Sequence, residues 1–345
     1  MSATKRLLKD TGARLPVVCG PMYPGSNPEL VAAVSESGGF GIVQPIALTR
    51  LYKHDYREGL RYIRSLTDKP FGVNITILPK TAASARYAKM NEDFANIAIE
   101  EGVSFLLTSL GKPDEIVKKA HASGVKVYHD VHNAKLAVRA IEAGVDGLNL
   151  LNSSMGGQTG SSTAEEIISA VKAANVTDDD FPMLCAGGIG DSAGLKAMLG
   201  LGYAGVQCGT RFLASEEAKV TDAYKNAIVS SSSDDIVWTN KMAGTNSSVI
   251  RTPMVEEGGL RTNAFLSFLL RQPMTKAMTR LWLLKGAMDK YDQAAFDPEI
   301  QYWQAGKGVD CIHAIQSCRE IMEEFERGLG GVAEAEEMRL RSSKL

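Results

Sequence analysis

The sequence predicts an α/β protein, more specifically a (β/α)8 TIM barrel with an appended, mostly helical smaller lobe. Two observations predict it: short β-rich apolar runs alternate with helical segments, and the alternation completes eight cycles by residue 207. Strands alternating with helices form parallel sheets with right-handed crossovers, and eight such units can close into a barrel. Periodicity does not prove closure, so a doubly wound open sheet is the alternative.

The eight candidate strands are short apolar runs, most of them rich in β-branched or aromatic residues. They lie at Leu15 to Cys19, Gly41 to Val43, Phe71 to Ile75, Val103 to Thr108, Val125 to His129, Gly147 to Leu151, Met183 to Ala186 and Gly205 to Cys208. The helices between them have recognisable ends. Asn133 is placed to cap the helix that begins at Ala134, and Gly144 follows the end of that helix.

The strand–helix alternation ends near Ala214, and this change divides the chain into three parts. Residues 1-229 are expected to form the barrel, and residues 230-310 a mostly helical inserted or substrate lobe. Residues 311-345 are expected to form a C-terminal helix and tail that pack back on the barrel. The helix itself is predicted over roughly Cys311 to Arg327.

The composition excludes several classes of function. The chain has 345 residues, of which 44% are hydrophobic and 23% charged, and these values are typical of a globular protein rather than a disordered one. A net charge of -2 predicts neither a nucleic-acid partner nor a membrane partner. No apolar run reaches the roughly 18 residues that a membrane span requires.

The termini and the cysteines carry weaker signals. The first twelve residues lack the apolar core of a secretion signal, so a cytoplasmic location is expected. The final Ser343-Lys344-Leu345 would be a peroxisomal address in a eukaryote. The five cysteines include no C-x-x-C pair and accompany no clustered histidines, so no metal site is expected.

Glycines follow the last three predicted strands, where an eight-stranded barrel builds its active site. Gly156 and Gly157 follow the sixth strand, Gly187 and Gly188 the seventh, and Gly209 the eighth. Glycines at such turns present bare backbone N–H groups, which together with helix N-termini bind anions. Because barrels commonly hold phosphate after strands seven and eight, these residues predict a phosphorylated cofactor.

Five segments carry a resemblance to one family. They are PVVCGPMYPGSNPELVAAVSESGGFGIV near the start, PFGVNITI, VYHDVHNAKLAVRAIEAGVDGLNLLNSSMGGQTG, PMLCAGGIGDSAGLKAMLGLGYAGVQCGTRFLASEEA, and AGKGV at Ala305 to Val309. Together they resemble the nitronate monooxygenase, or 2-nitropropane dioxygenase-like, family of FMN-dependent TIM-barrel enzymes. The resemblance covers nearly the whole chain, with Gly20 standing where the family usually has Ala.

The resemblance implies FMN as the cofactor. It places the isoalloxazine ring near Pro21, Met22 and Asn74, and the phosphate on glycines after the seventh and eighth strands. The implied cofactor-binding residues are Gly20, Pro21, Met22, Asn74, His129, Gly156, Gly157, Ala186, Gly187, Gly188, Cys208, Gly209 and Thr210. Arg211, next in the chain, is expected either beside the phosphate or paired with a surface carboxylate.

The main departure from the family's pattern is Gln158, because family members typically have His after the Gly-Gly pair, as a base or substrate-orienting group. A glutamine amide forms hydrogen bonds but has no titratable proton near neutral pH, so it cannot take a proton from a neutral nitroalkane. Ser154 likewise replaces a carboxylate found in many members. We expect Gln158 to hydrogen-bond the substrate.

His129 is the leading candidate to replace that missing base. It ends the fifth predicted strand, where it is expected to face the flavin ring, and imidazole exchanges protons near pH 7. The alternative is that His129 is a general contact to the flavin. The sequence thus offers two candidate catalytic residues, His129 and Gln158.

Three functions remain open at this point. The first is oxidation of alkyl nitronates by dioxygen to a carbonyl compound and nitrite, since an anionic nitronate needs no deprotonation. The second is NAD(P)H-dependent reduction of a quinone or an enoyl thioester, and the third is flavin binding without catalysis. The expected partners are a small-molecule substrate and dioxygen, and a homodimer is left open.

Overall fold

The structure is a computed structural model that describes residues 1–78, 81, 84–158, 160–241, 244 and 246–342. The side chains of Gln158, of several residues within 273–284 and of 331–342 lie outside the described part, as does the whole of Ser343-Lys344-Leu345.

Eight parallel strands close into a barrel. They are β1 (Val17–Cys19), β2 (Phe40–Val43), β3 (Gly72–Ile77), β4 (Phe105–Leu110), β5 (Lys126–Val131), β6 (Gly147–Leu151), β8 (Met183–Ala186) and β9 (Gly205–Cys208), with β7 (Gly157–Gln158) outside the barrel. Closure is direct, because Val17 of β1 pairs with Val206 of β9. The predicted barrel is confirmed, and the open sheet is wrong.

Ten helices belong to the barrel region. They are α1 (Ala3–Thr11), α2 (Pro28–Glu36), α3 (Tyr56–Leu66), α4 (Ala85–Glu100), α5 (Asp114–Ala122), α6 (Ala134–Glu142), α7 (Ala164–Ala173), α8 (Ser192–Gly200), α9 (Thr210–Leu213) and α10 (Asp222–Ser230), with a π-helical turn at Ala47–Leu51. Asn133 caps α6 as predicted, because its side chain accepts from the N–H of Leu136. Gly144 then has φ +85°, a conformation that L side chains rarely adopt.

The region after the barrel contains strands as well as helices. Its elements are β10 (Ile236–Thr239), β11 (Ser247–Ile250), α11 (Pro253–Gly258), α12 (Ala264–Arg271), α13 (Pro273–Phe296), and 3-10 turns at Ser233–Asp235 and Lys307–Cys311. The strands β10, β11 and β7 form an antiparallel sheet. Because β7 follows the sixth barrel strand, this sheet joins the lobe to the rim of the barrel.

The final helix, α14 (Cys318–Ser342), begins later than the predicted start at Cys311, which lies in a 3-10 turn. Ile321, Met322 and Phe325 of α14 are fully buried in the core shared by the barrel wall and its helices. The helix packs against α2 and α8, so it lies on the outside of the barrel.

Two hydrophobic clusters show which way each strand residue faces. Inside the barrel, Val18, Leu107, Tyr128 and Leu184 pack together with Leu7 of α1. Their neighbours along the strands pack outward against the helices. The Tyr128 hydroxyl donates to Asp10 Oδ2 at the end of α1 over 3.0 Å, so α1 closes the N-terminal end of the barrel. The opposite, C-terminal end is therefore the end at which a ligand can enter.

Among the described helices, none has both the length and the apolar character needed to cross a membrane.

Candidate active site

The mouth of the barrel is lined by one layer of four inward-facing residues. In a (β/α)8 barrel each such layer is contributed by alternate strands, so its members follow from the strand registers. The pairings of the eight strands place Gly20, Asn74, Asp130 and Ala186 together in one layer near the C-terminal end. The next layer below contains Ile42, Leu107, Asn149 and Gln207. Three of the four mouth residues were predicted cofactor contacts.

Asn74 is held in place by the neighbouring strand. Its side-chain Nδ2 donates to the carbonyl oxygen of Leu107 over 2.9 Å, and the side chain is buried. This bond uses one of the two N–H donors of the amide and sets the amide orientation. Asn74 therefore offers its carbonyl oxygen and its second N–H to a ligand at the mouth.

The loop after β1 folds into a tight turn. The N–H of Met22 donates to Ser26 Oγ over 2.7 Å, and the N–H of Ser26 donates back to the carbonyl of Met22. Pro21 and Met22 are partly exposed at this rim. A Cβ atom on Gly209 would lie 3.3 Å from the Met22 sulfur, so the loops after the first and last barrel strands are adjacent. These predicted cofactor residues do lie together.

His129 does not face the barrel interior, which corrects the expectation that it faces the flavin. Side chains alternate across a strand, and Val127 and Val131, on the same face as His129, belong to the outer cluster that packs against the helices. The imidazole Nδ1 lies 2.8 Å from Thr108 Oγ1, on the outer face of β4. His129 is therefore a buried residue of the barrel wall.

The protonation of His129 follows from its hydrogen bonds. The Thr108 hydroxyl donates to the carbonyl of Tyr128 over 3.0 Å, so its oxygen must accept the proton carried by Nδ1 of His129. Burial lowers the pKa of His129 to about 4. The ring is therefore neutral near pH 7 and occupied by a structural hydrogen bond.

The Cys208 side chain also faces outward, so a cofactor contact predicted for this residue would have to be made by its backbone. Its thiol lies in the outer cluster, and burial raises its pKa to about 12. Its backbone carbonyl accepts from the N–H of Gly20 over 3.0 Å, which closes the barrel at the mouth.

Sequence reasoning missed Asp130, which is the titratable member of the mouth layer. Its Oδ1 accepts from Asn149 Nδ2 over 2.7 Å, and the side chain is partly exposed. Burial of the carboxyl group is the largest influence and raises the pKa to about 7, against the opposing hydrogen bond from Asn149. The available signal was the apolar pair Val127 and Val131, whose face excludes Asp130 and includes His129.

The predicted glycine loops lie side by side at the rim. Gly187 has φ +120° and Gly188 has φ +80°, and a Cβ on Gly187 would lie only 2.5 Å from Asn152 Oδ1. The Asn152 amide donates to the Gly187 carbonyl over 2.9 Å, so it ties the loop after β6 to the loop after β8. A Cβ on Gly156 would meet the N–H of Gly306 at 2.8 Å.

The Ala305 to Val309 motif joins these loops. The N–H of Gly306 donates to Thr210 Oγ1 over 3.0 Å, and the N–H of Lys307 donates to the Ser154 carbonyl over 2.9 Å. Thr210 keeps its hydroxyl proton for a further acceptor. The result is a cradle of close backbone segments that contains the predicted phosphate-binding residues.

Gln158 is described through its backbone alone. With Gly157 it forms β7, in which Gln158 pairs with Ser247 and Gly157 with Ser248 of β11. The short strand anchors this loop to the lobe, and its prediction as a catalytic residue remains a prediction because its side chain lies outside the described part.

Arg211 was expected either beside the phosphate or paired with a surface carboxylate. Its guanidinium is buried and pairs with Glu324 Oε2 of α14 at 3.3 Å, and it also donates to Gln316. Arg211 is thus paired with a partly exposed carboxylate of α14, which is the second of its two expected environments.

The lobe is fastened to the rim by a polar cluster. Arg50, from the π-helical turn after β2, donates to Asp292 over 2.8 Å and also pairs with Asp289, both on α13. The Tyr23 hydroxyl donates to Asp292 as well. These contacts hold α13 across the loop that follows β1, next to Pro21 and Met22.

The site fits a flavin on the residues present. Two buried amide oxygens in the layer below the mouth, Asn149 Oδ1 and Gln207 Oε1, have no hydrogen-bond partner in the described part of the chain. The mouth layer has small residues at Gly20 and Ala186, and the Gln207 side chain packs directly against Gly20, where a Cβ would lie 2.8 Å from Gln207 Cδ. An isoalloxazine ring carries both donors and acceptors and so suits unpaired amides, and the glycine cradle suits its phosphate.

Comparison with known proteins agrees with this geometry. A sequence model described as nitronate monooxygenase matches residues 5–327. The chain belongs to the nitronate monooxygenase family. It is therefore a flavin-dependent oxidoreductase, and the resemblance seen in the sequence is confirmed. Groups of three or more potential metal ligands are absent from the described residues.

Proteins similar to this chain carry names that describe different activities. The (3aS,4S,5R,7aS)-5-hydroxy-7a-methyl-1-oxo-octahydro-1H-indene-4-carboxyl-CoA dehydrogenase of Mycobacterium tuberculosis is 30% identical over 272 residues, 78% of this chain and 73% of that protein. A probable nitronate monooxygenase of Staphylococcus saprophyticus is 25% identical over 320 residues, 83% of this chain and 89% of that protein. The substrate is thus not given by similarity.

Solved structures share the fold. FabK from Thermotoga maritima has a TM-score of 0.77 and 27% identity, with 98% of each chain covered. A nitroalkane oxidase from Streptomyces ansochromogenes has a TM-score of 0.76, covering 96% of this chain and 99% of that one, and its 21% identity bears on the fold alone.

Proposed function

We propose that this chain is an FMN-dependent nitronate monooxygenase, which converts an alkyl nitronate and dioxygen into a carbonyl compound and nitrite. The observation that carries the proposal is the mouth layer, where two small residues and one amide accompany a single carboxyl group, within a chain of this family. When bound, FMN supplies a two-electron acceptor that dioxygen can reoxidise.

The chain's own residues bind the cofactor and orient the substrate. The side-chain amide of Asn74, together with Asn149 Oδ1 and Gln207 Oε1, which have no partner among the described residues, would hydrogen-bond the ring. The cradle formed by Gly187, Gly188 and Thr210 would hold the phosphate. Backbone N–H groups need no reorganisation, so the site is prepared before the cofactor arrives.

The lobe over residues 230-310 is proposed to set access to the substrate side. Its helix α13 is fastened to the rim through Arg50, Asp289 and Asp292, and its sheet includes the loop that carries Gln158. Substrate must pass this boundary to reach the mouth layer. Gln158 is proposed to hydrogen-bond the nitro oxygens from that loop.

A second candidate is oxidation or reduction of an acyl thioester, with a nicotinamide as the partner redox reagent. The carboxyl-CoA dehydrogenase of Mycobacterium tuberculosis favours it, because its identity to this chain is higher than that of the Staphylococcus saprophyticus relative. Reduction of a quinone would use the same flavin.

One experiment separates these candidates. The purified flavoprotein is mixed anaerobically in a stopped-flow spectrometer with an alkyl nitronate, or with NADH or NADPH, while the flavin absorbance is followed. Bleaching by the nitronate alone, followed by nitrite formation on admission of air, is the expected result. Bleaching by a nicotinamide alone would overturn the proposal in favour of a reductase.

A further inference from the structure

Asp130 is the titratable residue of the mouth layer, beside the proposed flavin site. It shares the mouth layer with Gly20, Asn74 and Ala186, the residues proposed to surround the flavin ring. One carboxyl oxygen, Oδ1, accepts from Asn149 over 2.7 Å. The other oxygen has no partner in the described part of the chain, and the side chain is partly exposed at the open end of the barrel.

No charged group compensates this carboxyl. The elements packed against it present Ser109 from β4 and Asn149 from β6, which do not titrate. On its own strand, His129 lies on the opposite face and Tyr128 points down to Asp10. No ion pair to Asp130 occurs among the described residues, so nothing in the wall stabilises its charged form except one amide.

Resting on the proposed function, we propose that Asp130 is the catalytic acid–base residue of this site and replaces the family's histidine, absent at Gln158. In its ionised form, Asp130 takes the α-proton of a neutral nitroalkane. The carbon–hydrogen bond breaks and its electron pair forms the C=N bond of the nitronate, while the π pair of one N=O bond moves onto that oxygen. The proton stays on the free carboxyl oxygen of Asp130. In its protonated form, Asp130 donates a hydrogen bond to a nitronate oxygen.

The burial of Asp130 suits both tasks. A pKa of about 7 means that both forms are populated near neutral pH, and a general base is most effective when its pKa is close to the working pH. The unmatched carboxylate would repel an anionic nitronate. Binding of the anion therefore requires the protonated form, whereas reaction of the neutral nitroalkane requires the ionised one.

The two protonation states of one substrate should consequently show opposite pH profiles. For the neutral nitroalkane, kcat/KM is expected to rise about tenfold per pH unit up to about pH 7 and then level off. For the preformed nitronate, KM is expected to rise by about the same factor above pH 7, since each unit removes nine tenths of the protonated form. A purely structural carboxyl would give neither profile.

The variant Asp130→Asn tests the assignment directly. An amide cannot take a proton, so kcat/KM for the nitroalkane is expected to fall at least 100-fold at pH 8. The amide still donates a hydrogen bond and carries no charge, so KM for the nitronate at pH 8.5 is expected to drop at least fivefold. The neighbouring His129→Asn, on the outer face, is the matched control and keeps the wild-type profiles.

A binding measurement separates this inference from the proposed function. Nitrate, a planar anion, is titrated into the FMN-loaded protein by calorimetry between pH 5.5 and 8.5. The wild type is expected to lose affinity above pH 7, and Asp130→Asn to bind nitrate with no such dependence. If these results hold while nitronates leave the flavin oxidised, the proposed function fails, and Asp130 remains the titratable group that controls anion binding at the mouth. A nitrate affinity with the same pH dependence in both proteins would overturn the role.

Discussion

The two faces of β5 carry adjacent polar residues that lie in different surroundings. His129 faces the helices, where burial lowers its pKa to about 4 and its Nδ1 proton bonds Thr108. Asp130 faces the barrel mouth, where burial raises its pKa to about 7 and one oxygen has no hydrogen-bond partner within the described part of the chain. In both cases burial opposes charge, but only the inner residue retains a free atom that faces the open end. Orientation, more than residue type, decides which of them can act on a substrate.

The largest effect is expected from a substitution in the glycine cradle at the mouth of the barrel. In Gly187→Ala, the new Cβ would lie 2.5 Å from Asn152 Oδ1 and 2.6 Å from the Met155 nitrogen, and φ +120° strains any L residue. Strain of about 1–3 kcal/mol would weaken FMN binding by about ten- to hundredfold. Titration of apo-protein with FMN, followed by fluorescence quenching, measures it.

Gly200→Ala is the matched control for that substitution. Gly200 ends α8, and nothing lies within 4 Å of a Cβ built on it. FMN affinity equal to the wild type is expected. If Gly187→Ala also bound FMN as the wild type does, the cradle would not be the phosphate site.

The next largest effect is expected from a substitution at His129, on the outer face of β5. His129→Asn removes buried volume and the hydrogen bond to Thr108, so it is expected to lower the free energy of unfolding by about 2 kcal/mol at pH 8, with turnover unchanged. Wild-type His129, whose pKa is about 4 when folded and about 6.5 when unfolded, contributes a loss of stability as pH falls through that window. The variant lacks this loss, so its deficit should shrink toward pH 4. Urea denaturation at several pH values measures it, and a drop in turnover at unchanged stability would return His129 to the active site.

The difference between these two residues also shows what the sequence could predict. Eight strand–helix units with glycine-ended helices specify a barrel, because each unit must bury its apolar face against the next. Three strands, Gly147–Leu151, Met183–Ala186 and Gly205–Cys208, lie at the predicted bounds. The pattern also located the rim residues, since active-site loops follow strand ends in this fold.

The side of the sheet on which a polar residue at a strand end lies was harder to predict. A shift of one residue exchanges the two faces of a strand, and His129 and Asp130 are both polar, so composition does not choose between them. The neighbouring Val127 and Val131 do indicate which residue faces outward, because they share a face with His129 and the outer face of the barrel wall is apolar.

A smaller effect is expected from restoring the family's histidine. Gln158→His in the Asp130→Asn background would supply a titratable group from the loop that β7 holds at the lobe. Oxidation of a neutral nitroalkane is expected to recover about five- to tenfold relative to Asp130→Asn alone, a modest share of the gain that a well-placed base provides. Oxygen uptake at pH 8 measures it. No recovery would mean that position 158 does not reach the substrate carbon.

The smallest expected effect is a gain in the free energy of unfolding when Asp130, on the inner face of β5, is replaced. The pKa of Asp130 is about 7 in the folded protein and near 4 when unfolded, so between these values the folded state binds more protons and loses stability as pH rises. Asp130→Asn removes that loss. We expect the variant to equal the wild type near pH 4 and to exceed it by at least about 1 kcal/mol at pH 8. This slope is opposite to the one expected at His129, so urea denaturation of the two neighbouring variants across one pH series compares the two faces of β5 directly. A variant no more stable than the wild type at pH 8 would mean that the ionised carboxyl is solvated or paired, and thus not held ready for a proton.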